Sequence, residues 1–263
     1  VAMGEYSHAQ GYWTEAQKDY SHAEGYNSRA AGIAAHAEGY SSDAIGKYSH
    51  AEGLNASAKG ISSHAEGDNC TASGECSHAE GYHCTTSGEY THAEGYYTNA
   101  NGNYSHTEGY HTIAEGKASH AEGDGSTASG NYSHAEGSNS IANGDYSHAE
   151  GLSTITNGEC SHAEGNLTVA SGDYSHTEGE GTIASGRHQH VQGKYNIDNP
   201  NYAHIIGNGT MTTPSNAHTV DWDGNAWYAG RVDCTQVILM SPNGTRFVVS
   251  VDDNGNLSVR AMA

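Results

Sequence analysis

Small and polar residues alternate along this chain with a period of two, and glycine punctuates the alternation every seven residues. Stepping by seven from Gly4 to Gly207 meets thirty positions, all glycine except Lys18 and Pro200. Two residues before them, Ala stands at 23 positions and Thr at four (Thr86, Thr107, Thr156, Thr177). Two heptads make a fourteen-residue unit, typified by Tyr132-Ser133-His134-Ala135-Glu136-Gly137-Ser138-Asn139-Ser140-Ile141-Ala142-Asn143-Gly144-Asp145. Period two is the strand signature. It puts Ser133, Ala135 and Gly137 on an inward face and Tyr132, His134 and Glu136 on an outward one. Small inward residues let two short strands approach closely, and glycine supplies the φ/ψ values for the bends between them. Each unit therefore predicts one coil of two short strands and two tight bends. Helix is excluded: a glycine every seven residues would cost about 1 kcal/mol each relative to alanine.

Histidine marks the same beat. Sixteen of the nineteen histidines recur every fourteen residues from His8 to His218, and only His83, His111 and His188 lie off that ladder. Such periodicity predicts a stack of similar coils, with function sought on the long surface that stacking creates. Parallel strands lie about 4.8 Å apart, so some fourteen coils make a rod on the order of 65 Å long. The fold class is all-β: a parallel β-roll solenoid of fourteen-residue coils.

Composition narrows the picture. With 35 Gly, one Phe and a mean hydropathy of −0.71, the core must be narrow and made of small side chains. A core that thin buries little apolar area, so oligomerisation is the natural remedy. The net charge of −21 would repel phosphate backbones, so nucleic acid is not an expected partner. No stretch approaches the roughly 18 apolar residues of a membrane helix, so no membrane insertion is expected, and no signal peptide is visible at Val1. Five cysteines without a CxxC indicate neither a disulfide framework nor a zinc site.

The Ser-x-Ala-x-Gly-x-x pattern resembles the head repeat of YadA-like trimeric autotransporter adhesins, and the resemblance implies a left-handed roll and a homotrimer. The Ser-His-Ala-Glu-Gly variant resembles repeats of prophage tail fibre and minor structural proteins, over residues 1 to about 193. One departure matters: the adhesin pattern carries aliphatic residues in its core steps, whereas here His and Glu alternate with Ala. Collagen or matrix binding is therefore not carried over.

The repeat occupies residues 1–193. Residues 194–221 read as transition coils with longer loops, because Pro200 takes a glycine position while the beat persists at His204 and His218. Tyr202–Gly209 and Ser215–Trp227 are similar to the C-terminal region of prophage tail proteins. Residues 222–263 predict a small antiparallel β cap or trimer clasp. Its strands are the apolar runs Val237–Met240 and Arg246–Val251, with turn signals at Pro242-Asn243-Gly244 and Asp253-Asn254-Gly255.

Four constellations bear on chemistry. His134, Glu136, His148 and Glu150 typify a ladder whose imidazoles and carboxylates are competent metal ligands. Hydrogen-bonded rows or a trimer contact are the simpler reading, and no functional metal and no cofactor are expected. Each His stands two residues from a Glu in twelve repeats, which favours raised His pKa values and a rod stabilised by mild acid. Imidazoles held neutral in rows would give the opposite sign. Ser-His dipeptides cannot act as nucleophile and base, since neighbouring strand residues face opposite sides, so no catalytic residues are assigned and no enzyme is expected. Cys70 and Cys84 sit one coil apart in the inward Ser slot, within disulfide reach, or are two small buried thiols. Tyr26, Tyr40, Tyr82, Tyr96 and Tyr110 form a row able to meet sugar rings or to pack between chains.

These readings point to a structural, receptor-contacting shaft or tip of a phage or phage-tail-like fibre. It would be a homotrimer on the virion tail or an extracellular surface, meeting a host cell-surface glycan or protein. A bacterial trimeric adhesin head is the alternative, although neither its secretion signal nor its membrane barrel is seen. A mature product of a self-cleaving phage tail appendage is the second alternative.

Overall fold

The structure, a computed structural model, describes residues 1–232, 237–252 and 254–261; Cys234 and Asp253 lie outside them. Two compact units divide at Ala226 and Trp227.

The first unit is a parallel β-roll of about fourteen coils. Each unit of sequence contributes two strands, as predicted. His134–Ser138 belongs to one sheet, and Ile141–Ala142 belongs to a second sheet of thirteen two-residue strands. All pairing within the repeat is parallel and steps by fourteen: His134 lies beside His148, Ala135 beside Ala149, and Ile141 beside Ile155.

The core between the two sheets is as thin as the composition requires. Ala135, Ala142 and Ala149 are fully buried, and so is Ser140. Many of the buried serine hydroxyls are satisfied by glycine carbonyls at the bends, whereas the Oγ1 of Thr86, Thr98, Thr107 and Thr177 and the Oγ of Ser105 and Ser175 have no partner among the described residues. Ser133 Oγ donates to Gly130 O at 2.6 Å, and Ser140 Oγ donates across coils to Gly151 O at 3.2 Å. A buried polar atom without such a partner would cost about 1–3 kcal/mol, which explains why hydroxyls and glycine carbonyls repeat together. Ala135→Leu is expected to destabilise the roll by about 1–3 kcal/mol through overpacking, and Glu136→Gln by less than about 0.5 kcal/mol. Equal melting temperatures for the two variants would reverse the inward and outward assignment.

The bends differ from the expectation. Gly137, read as inward, is exposed at φ +97°, while Gly144 is buried at an ordinary φ. Each coil also holds non-glycine residues in the left-handed region, such as Tyr132 (φ 58°) and Asn139 (φ 55°). Their amides explain the tolerance: Tyr132 N donates to Lys117 O at 2.7 Å and Asn139 N to Asp124 O at 2.8 Å. Coil-to-coil hydrogen bonds thus offset the roughly 1 kcal/mol or more that a non-glycine residue gives up there.

At the end of the roll Tyr202–Asn208 still stacks in parallel, with His190 beside His204. Asn216–Asp221 then returns antiparallel, with Ile206 beside His218, so the beat at His218 marks a hairpin and not a further coil. Val191 and Ile205 fill the core there, and Gln189 Nε2 ties the longer loop down through Asn199 O and Tyr202 O.

The second unit holds a three-stranded antiparallel sheet of Val237–Met240, Arg246–Val251 and Leu257–Ala261. Val248 is buried, whereas Ile238, Leu239, Met240, Leu257 and Val259 are all more than half exposed.

Candidate functional site

The outward face of the longer strands carries the histidine and glutamate rows. From His36 to His190 the imidazoles stack with centroids 4.6–5.0 Å apart and planes within 18°. A parallel register of identical residues at strand spacing enforces this. His148 Nε2 lies 3.6 Å from Glu136 Oε1 and His134 Nε2 3.7 Å from Glu122 Oε1. Both contacts exceed hydrogen-bond reach, and both nitrogens are shielded from solvent.

This geometry reverses the expected electrostatics. His64, His106, His120 and His148 are held below the ordinary imidazole range, first by burial and then by the positive charge that neighbouring imidazoles would carry. The glutamates oppose that shift with a smaller effect. The carboxyls interact among themselves: hydrogen bonding along the row pushes Glu108 and Glu136 up to about 7 and lowers Glu94, Glu122 and Glu150. Like charges so close together cannot all ionise. Beside the row, Glu66 to Glu164 and Gly81 to Gly165 line an open acidic groove.

The structure brings His134, Glu136 and His148 together, with ligand atoms within 4.8 Å of one another. Zinc sits about 2.0–2.1 Å from each imidazole nitrogen, along its lone pair. Rings stacked 4.7 Å apart at 1° point past any common centre, so a metal would require the stack to be broken. The Ser-His dipeptide is divided as predicted: Ser133 Oγ is buried against Gly130 O, and His134 is on the other face.

The tyrosine row is interrupted. Tyr26 and Tyr40 stack at 4.8 Å, and Tyr82, Tyr96 and Tyr110 stack at 4.8 and 5.2 Å. Leu54 and Asp68 separate the two groups. Sequence reasoning missed a second aromatic row in the left-handed slot, where His83, Tyr97 and His111 stack at 4.7 and 5.0 Å. The signal was present, since two of the three histidines off the main ladder stand 28 residues apart with Tyr97 midway.

Cys70 and Cys84 are buried free thiols, while Cys76 and Cys160 are exposed. Cys84 Sγ donates to Gly95 O at 3.2 Å, the bond that Ser28 Oγ makes to Gly39 O. Hydrogen bonding to Cys84, reinforced by burial, keeps the Cys70 thiol protonated. Alkylation of the native protein, mapped by mass spectrometry, is expected to modify Cys76 and Cys160 and to spare Cys70 and Cys84 until unfolding. A Cys70–Cys84 peptide two mass units light would instead reveal a disulfide.

The family model described as the YadA head domain repeat matches residues 108–133, 121–147, 135–155 and 163–188. No curated protein matches the sequence. The matched coils carry the same pairing register as the coils before them, and residues 108–155 and 163–188 are similar to the YadA head domain repeat.

Proposed function

We propose that this chain forms the host-contacting β-roll of a phage or phage-tail-like fibre, assembled as a homotrimer and without a catalytic step. The supporting observation is where the roll spends its aromatic residues. Tyr12, Tyr40, Tyr96, Tyr110 and Tyr146 are each more than 40 % exposed, while the interior is alanine, serine and threonine. Exposed apolar surface of this kind marks an interaction face. The apolar strands Val237–Met240 and Leu257–Ala261, exposed in a single chain, suit a contact between copies. The Ser-His-Ala-Glu-Gly wording of the repeat favours a phage appendage over other adhesins.

A bacterial adhesin head is the second reading, and the YadA head match favours it. Fluorescently labelled protein applied to Gram-positive, Gram-negative and animal epithelial cells separates the two. A phage fibre labels a subset of bacteria, an adhesin head labels animal cells, and binding to none overturns host contact. Light scattering is expected to give three times the chain mass of 27.5 kDa; a mass near 27.5 kDa would overturn the trimer.

A further inference from the structure

Over three consecutive coils the two aromatic rows run side by side. In each coil the paired rings, Tyr82 with His83, Tyr96 with Tyr97 and Tyr110 with His111, meet edge to face at 4.4–4.8 Å. Rings stacked along the roll cover one another's faces, so a ligand can stack only at an end of the block. At one end the next coil offers Asp124 beside Tyr110 and Gly125 in the left-handed slot above His111.

Gly125 has φ +69° in a slot that other coils fill with a side chain, as at Asn55, Asn69 and Asn139. Gly181 is the other exception, but there Tyr195 of the following coil lies over the glycine. A Cβ at 181 would meet Tyr195 Cε1 at 2.3 Å, and the Tyr195 hydroxyl donates to Glu180 Oε1. At Gly125 a Cβ would approach only the end of the Asn139 side chain, with Oδ1 at 2.8 Å. The ladder therefore lacks one rung. Neighbouring rungs stand about 4.8 Å apart, so the His111 ring and the Asn139 backbone are separated by roughly two spacings, and the Asn139 carboxamide leans into that gap from the far side, where it can turn aside for a ring or bond its rim.

The edges of this notch are polar. Asp124 and Asn139 are exposed, and Asn139 Nδ2 donates to Ser138 Oγ at 3.1 Å. An aromatic platform with a carboxylate, a carboxamide and a hydroxyl around it matches a ring whose faces are apolar and whose rim bears hydroxyls. The net charge of −21 selects against anionic sugars. Resting on the host-contact reading above, we propose that the missing rung at Gly125 binds a neutral or amino pyranose of a surface glycan. The sugar stacks on His111 and Tyr110, and its hydroxyls are held by Asp124 and Asn139.

Two variants use residues that the same slot already accepts. Gly125→Asn fills the notch, as the neighbouring Asn55 and Asn69 do when Asn55 Nδ2 donates to Asn69 Oδ1 at 3.3 Å. His111→Asn removes the platform. The full-length protein and both variants are applied to an array of neutral, amino and acidic oligosaccharides, with thermal melts as the folding control. Wild type is expected to bind neutral or amino glycans, and each variant to bind at least tenfold more weakly with an unchanged melt. Wild type binding only acidic glycans or none, or variants binding as wild type does, would overturn the site. Cell labelling that persists in Gly125→Asn would reject the notch and keep host contact. Glycan binding lost in Gly125→Asn, without any cell labelling by wild type, would do the reverse.

Discussion

Gly144→Ala is expected to destabilise the roll by about 3 kcal/mol or more, beyond ordinary overpacking, with about 2–4 °C of melting temperature lost per kcal/mol. Gly144 has an ordinary φ, so the loss comes from contact and not from backbone strain. An added Cβ would lie 2.0 Å from Gly158 O and 2.6 Å from Gly158 C, backbone atoms of the next coil. That coil cannot retreat, because Asn143 N and Gly144 N both donate to Thr156 O, at 2.8 and 3.2 Å. Relief would therefore break the ladder that holds neighbouring coils together. Gly230→Ala is the control, since a Cβ there meets nothing within 4 Å among the described residues. Thermal denaturation followed by circular dichroism checks the pair. A Gly144→Ala protein melting with Gly230→Ala would show that coils separate without loss, and the close-packed account would fail.

What was legible in the sequence was whatever repeats. Ser133, Ala135, Ser140 and Ala142 announce their burial through period two and recurrence, and the coil-to-coil register follows from the unbroken step of fourteen. The bends were less legible. Tyr132 in a left-handed conformation contradicts local preference, and its compensation is a hydrogen bond to Lys117 O fifteen residues away, which no local rule contains. Gly137 and Gly144 read alike as letters and both lie against the backbone of the next coil, yet Gly137 needs positive φ as well while Gly144 needs only the close approach. The notch was spelled out by Gly123-Asp124-Gly125, an extra glycine against the beat. Its meaning needed the stacked His111 beneath it. His218 kept the beat while the chain reversed direction, because the longer loop after Asn208 leads into a hairpin that happens to preserve the spacing.

The roll is expected to melt at a lower temperature at pH 5.5 than at pH 8. His64, His106, His120 and His148 have folded pKa values below the unfolded value of about 6.5, so the unfolded chain binds their protons more readily. Their contribution is complete above about pH 6.5 and is lost as pH falls through the folded values. Glu108 and Glu136, raised to about 7 from 4.5, act the other way and add stability as pH falls from about 7 towards 4.5. The two rows therefore compete within one window, and solvent decides between them. The Nε2 atoms of these histidines are shielded, so an added charge there meets the next imidazole less than 5.1 Å away with little screening. The carboxylates line an open groove, where water and counterions weaken their mutual repulsion and with it the upward shift. Glu94, Glu122 and Glu150, lowered by the same row, add nothing between pH 8 and 5.5, because they are ionised in both states; their loss comes only below about 4.5. Since salt screens the groove more than the shielded imidazoles, the difference between pH 8 and pH 5.5 is expected to persist in 0.5 M sodium chloride. A higher melting temperature at pH 5.5 would mean that the glutamate row, through protonation of Glu108 and Glu136 or through pairing with the imidazoles, outweighs burial of the histidine row.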